Sequence, residues 1–87
     1  MQDKDNKQIL CNALAKVMKK LRGSKSLSTF ASEYGLSTSI ICNAERGLKD
    51  PQLTTLYKLS EAYNIPFDKF IQLIMNELPE GYTLIDK

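Results

Sequence analysis

Apolar positions recur at intervals of three and four through most of the chain, the period of an amphipathic helix. Ile9, Leu10, Ala13, Leu14, Val17, Met18 and Leu21 form the first stripe and predict a helix over about 6–22, with Asp5 and Asn6 as cap candidates and Gly23-Ser24 as its break. Leu27, Phe30, Ala31 and Tyr34 predict a short second helix, opened by Ser26 as N-cap and ended by Gly35, which takes the left-handed conformation without steric cost. Ser37 caps a third helix, and Leu36 before it is placed to pack on Ile41 four residues in, the staple that fixes the entry of the chain. Gly47 closes this helix and Leu48-Lys49-Asp50-Pro51 is a connection. Leu53, Leu56, Tyr57, Leu59 and Tyr63 predict a fourth helix over about 52–63, ended by Asn64. Pro66 suits the first turn of a fifth, which runs to about Leu78 before Pro79-Glu80-Gly81. Residues 82–87 are too few for periodicity to choose between a short strand and a tail. The expected fold class is all-α, five helices in one domain spanning 1–87.

Composition narrows the chemistry. The 87 residues include no His, and Cys11 and Cys42 lie far apart, so neither a CxxC pair nor a His-based zinc site can be written and no cofactor is expected. No His stands ready to activate a Ser, Cys or Lys nucleophile, which argues against an enzyme. The first eight residues are polar and no apolar run approaches the roughly 18 a membrane span needs, so a cytoplasmic protein without a membrane partner is expected. No effector module is visible, and no small-molecule ligand is expected.

Net charge is only +2, but its distribution is uneven. Residues 7–49 carry eight Lys and Arg against Glu33 and Glu45, a net +6, whereas 50–87 carry three Lys against six acids, a net −3. A basic half suits a polyanion, although Lys16, Lys19, Lys20, Arg22 and Lys25 also cluster where cations favour the dipole of the first helix.

The third helix decides between these readings. Advancing 100° per residue, Thr38, Ser39, Cys42, Asn43 and Arg46 fall within an arc of about 140°, while Ile41, Ala44 and Leu48 lie opposite. One side packs and the other offers short hydrogen-bonding groups with one Arg. A tight Gly35-Leu36-Ser37 connection and a small Ala31 at the crossing complete the recipe of a helix-turn-helix over about 26–47. Such a helix fits the major groove of duplex DNA, where Asn43 can pair with adenine, Thr38 and Ser39 can bond several bases, and Cys42 or Ile40 can touch a thymine methyl. Arg46, at the far end, suits a phosphate.

The stretch LSTFASEYGLSTSIICNAERG over 27–47, with LKDP to residue 51 and LTTLYKLSEAYNI over 53–65, resembles the phage-repressor type of helix-turn-helix, the Cro/CI or XRE-like family. The resemblance covers about residues 9–75, on Ala31, Gly35, Ile41, Glu45-Arg46-Gly47, Pro51 and the Leu53, Leu56, Leu59 ladder. It implies a five-helix, lambda-repressor-like domain and a double-stranded DNA partner, in a family whose members are usually dimeric transcription regulators. It places Thr38, Ser39, Cys42 and Asn43 where bases are read, and Ser37, Arg46 and the amides near Lys49 where phosphates are held. Leu27 stands where the family commonly has Gln, so Ser26 or Ser28 is the expected substitute for that phosphate contact. Ala44 replaces a usual larger aliphatic residue, and the absence of long Gln and Arg side chains from the reading face suggests modest discrimination.

The fifth helix adds a subunit expectation. From Phe67, its apolar residues Phe70, Ile71, Leu73, Ile74, Met75 and Leu78 spread over about 200°, wider than one core contact needs. A homodimer through Ile71, Ile74, Met75 and Leu78, aided by Tyr82, Leu84 and Ile85 in a C-terminal region of about 66–87, would set two reading helices about 34 Å apart. The expected function is sequence-specific transcription regulation, by repression. An antitoxin or restriction-modification controller of the same fold, and a protein-interaction module without DNA binding, are the alternatives.

Overall fold

The structure, a computed structural model, describes residues 3–85, with side chains from residue 6 onward. Five helices follow one another: α1 (Asp3–Arg22), α2 (Leu27–Tyr34), α3 (Thr38–Glu45), α4 (Leu53–Ala62) and α5 (Phe67–Asn76). Among the described residues there is no strand, and 82–85 form turns and irregular chain; residues 86–87 of the tail lie outside the described residues.

The predicted caps set most boundaries. Ser26 Oγ accepts from the Thr29 amide and Ser37 Oγ from the Ile40 amide, so each hydroxyl satisfies a donor that the first helical turn leaves over. At the other end of α2, Gly35 sits at φ 63°, and the amides of Gly35 and Leu36 bond back to Ser32 and Ala31. This Schellman arrangement turns the chain directly into α3. The first helix begins earlier than expected, at Asp3, so Asp5 and Asn6 do not cap it. Asn6 instead donates from Nδ2 to the Thr83 carbonyl at 2.9 Å, and its own carbonyl accepts from the Tyr82 hydroxyl, which ties the tail to the start of α1. Pro66 is the cap of α5 rather than its first residue.

The core lies where α1 packs on α3 and α5, α2 on α3, and α4 on α5. Met18, Phe30, Ala31, Ile41, Ala44, Leu59, Phe70 and Ile74 fill it, and burying each large apolar side chain contributes about 1.5–3 kcal/mol. Tyr63 stacks on Phe30 with ring centroids 5.1 Å apart and meets Phe70 at 5.7 Å, joining α2, the end of α4 and α5. Leu48, Leu53 and Tyr57 are among the residues of the apolar pattern that are not core. Leu48 lies beyond the last residue of α3, where the helical wheel no longer applies, and is 62% exposed. Leu53 and Tyr57, one turn apart on α4, are likewise exposed, although Tyr57 keeps a ring contact with Phe67.

Candidate nucleic-acid interface

Burial of Ile41 and Ala44 against the core turns the opposite side of α3 outward. Thr38, Ser39 and Ile40 are exposed, and Cys42 and Asn43 are half-buried. Arg46, the C-cap, is exposed beyond them, as are Lys49 in the connection and Ser26, Ser28 and Ser37 at the starts of α2 and α3. The residues expected to read bases therefore share the outward side of α3, bounded along the chain by the α2–α3 turn and the basic connection. Ser37 accepts a bond from its own helix, which leaves its hydroxyl proton free to donate outward. Ser26 differs, because its hydroxyl donates to Thr29 Oγ1 at 2.7 Å. Ile40 borders a groove of about 180 Å³ between the α2–α3 turn and α4, with Thr55 and Lys58 on the far wall.

Two devices hold α3 in place, and neither was visible as a pair along the chain. The Arg22 guanidinium donates from Nε and Nη2 to both oxygens of Glu45 at 2.8 and 2.7 Å, and from Nη1 to the Lys25 carbonyl at 2.7 Å. One planar group thus fixes the end of α1, the chain leading into α2 and the last residue of α3. The Glu45 side chain is only 5% exposed, so the pair is desolvated and its geometry constrained. The bond to Glu45 holds the Arg22 pKa above its usual value. Burial, and secondarily the Glu45 charge, raises the Tyr63 phenol above the ordinary tyrosine range. Its hydroxyl is buried with no hydrogen-bond partner.

The second device is on the other side. Gln8 donates from Nε2 to the Gly47 carbonyl at 2.7 Å and to Asn12 Oδ1 at 2.9 Å. Gly47 adopts φ 73°, a dihedral that favours glycine, and a Cβ there would stand 2.5 Å from Asn12 Oδ1, so the Asn12 side chain would have to swing away from Gln8 to admit it.

The basic half is not one continuous surface. Lys7, Lys16, Arg22 and Lys25 are paired with Asp50, Glu77, Glu45 and Glu33 at 3.7, 3.1, 2.7 and 2.6 Å. Among the described residues, Lys19, Lys20, Arg46 and Lys49 form no ion pair, and only the latter two flank α3 in sequence. Of the proposed subunit-contact residues, Met75 is exposed and Ile71 and Leu78 are half-buried. Ile74 belongs to the core at 6% exposure, because it points back toward α1, and has little surface left to offer a second subunit. Ile71, Met75 and Leu78 line an apolar groove of about 220 Å³ with Leu10, Pro51 and Leu56.

No described helix is long and apolar enough to cross a membrane, and among the described residues no cluster of three or more metal-ligating side chains occurs.

Comparison with known proteins agrees with this geometry. A helix-turn-helix family model matches residues 18–70, from the last turn of α1 into α5. The HTH-type transcriptional regulator SutR of Escherichia coli (strain K12) is 32% identical over 75 residues, covering 84% of this chain and 42% of the relative, so the chain spans less than half the length of that protein. No solved structure matches. The chain belongs to the helix-turn-helix family, in its Cro/CI or XRE-like form, a family of DNA-binding transcription regulators.

Proposed function

We propose that this protein binds duplex DNA sequence-specifically as a homodimer and represses transcription. The observation that carries the reading is the exposed face of α3, whose short polar groups are presented by a helix clamped at its far end to α1. Thr38, Ser39, Cys42 and Asn43 are assigned to base edges. Ser28, Ser37, Arg46 and Lys49 are assigned to phosphates, with Ser26 joining them when its hydroxyl turns from Thr29. Phosphate contacts fix register and the α3 face selects sequence. The second subunit is assigned to the Ile71, Met75 and Leu78 surface, where exposed Met75 borders the apolar groove, with Ile74 beneath it. Repression then needs no further chemistry, because occupancy of a promoter by the dimer excludes polymerase.

Counterion release tests the DNA reading. Two cationic phosphate contacts per subunit, Arg46 and Lys49, imply a log–log dependence of affinity on salt with a slope of roughly −4 for the dimer. A flat response to salt would favour the protein-interaction reading instead.

A further inference from the structure

We infer that α3 selects A·T base pairs, through thymine methyl groups and Asn43, and lacks the Arg, Lys or free carboxylate that would favour guanine or cytosine. This rests on the reading of α3 as the element that enters the major groove. Guanine is held in that groove chiefly by Arg or Lys on its O6 and N7, and cytosine by a carboxylate that accepts from its amino group. The eight residues of α3, TSIICNAE, include no Lys or Arg. Their only acid, Glu45, is 5% exposed with both oxygens taken by Arg22, and Arg22 is thereby removed as a reader as well. Arg46 follows the last residue of the helix.

What remains fits the other two bases. Asn43 supplies the donor and acceptor that match the N6 and N7 edge of adenine. The thymine 5-methyl is the apolar feature of the groove floor, and α3 offers apolar groups to it: the Thr38 methyl, the half-buried Cys42 and, above all, Ile40. Ile41 is 1% exposed, whereas its neighbour Ile40 is 39% exposed and lies outside the core cluster. A branched aliphatic side chain left open on this helix, beside hydroxyl and amide groups, has a use if it covers a methyl.

The test uses the full chain and duplexes selected from a random pool, with thymines in the strongest site then replaced by uracil, which lacks only the methyl. A·T pairs are expected at the selected positions facing α3. Each contacted methyl removed should lower affinity about four-fold, the equivalent of about 0.8 kcal/mol for burying one methyl-sized group. Ile40→Ala should weaken binding to the thymine site and leave the uracil site unchanged, a difference that a merely structural role would not produce. Selected G·C pairs at those positions, or uracil sites bound as tightly as thymine sites, would overturn the inference while salt-dependent duplex binding persisted. Equal losses on both duplexes for Ile40→Ala would remove Ile40 from the contact. Absence of salt-dependent binding to any duplex would instead overturn the DNA reading beneath it.

Discussion

Arg22→Met keeps the stem of the side chain and deletes the guanidinium, which strands the Glu45 carboxylate at 5% exposure with its partner gone. Removing one member of a buried ion pair costs about 3–5 kcal/mol, against a total stability of about 5–15 kcal/mol for a domain of this kind. Glu45→Gln is the milder perturbation. The amide keeps the outline and one acceptor, Nη1 retains the Lys25 carbonyl, and the Arg22 side chain, 19% exposed, can reach water. Its cost should be that of weakened bonds to a charged group, about 1.5–3 kcal/mol. The double variant Arg22→Met/Glu45→Met leaves no buried charge and should recover most of the loss, since an apolar replacement of such a pair is often near neutral. Urea unfolding followed by far-ultraviolet circular dichroism reads all three. With a slope of about 1 kcal/mol per molar, the midpoint should fall by about 3 M or more for Arg22→Met and by about half that for Glu45→Gln. If Arg22→Met proved no costlier than Glu45→Gln, or if the double variant were worse than either, the clamp would not be the desolvated pair described here.

Further predictions follow from the same geometry. Gly47→Ala combines a left-handed dihedral with a 2.5 Å encounter and should lower the melting temperature more than Gly35→Ala, where φ is similar but no atom lies within 4 Å of a new Cβ. Tyr63→Phe deletes a buried hydroxyl that has no partner and should leave stability at neutral pH unchanged or raised by up to about 1 kcal/mol. Burial raises the Tyr63 pKa in the folded state, whereas the unfolded phenol ionises near about pH 10, so its share of stability is full below that pH and is lost as pH rises toward the folded value. Tyr63→Phe should therefore flatten the alkaline decline in urea midpoints, and an unchanged decline would assign it to other groups. Met75→Glu, a change at an exposed site, should give a folded monomer by sedimentation, and an intact dimer would place the interface elsewhere.

The helices were legible because their ends are written in local chemistry. Ser26 and Ser37 cap, Gly35, Gly47 and Asn64 take positive φ, and Pro66 opens α5, all effects that act within a few residues. The outward face of α3 was legible for the same reason, since eight residues at helical period suffice to separate Ile41 from Ser39. What did not show along the chain was pairing at a distance. Arg22 looks like a cation suited to its own helix dipole until Glu45, 23 positions away, is found in bidentate contact. The basic half likewise reads as one polyanion surface until four of its cations prove to be ion-paired, two with its own Glu33 and Glu45 and two with Asp50 and Glu77. Leu48 and Ile74 show the limit of a helical wheel. The wheel assigns an angle but does not know where the helix stops, nor that α1 covers the side on which Ile74 lies.

The most direct test of the central claim, that the exposed face of α3 reads DNA, is the affinity of Asn43→Ala for a selected duplex and for random duplex, measured side by side at one salt concentration. Loss of the adenine contact should cost about 1–3 kcal/mol on the selected site and leave random binding nearly unchanged. Equal losses on the two duplexes, or none on either, would contradict the account.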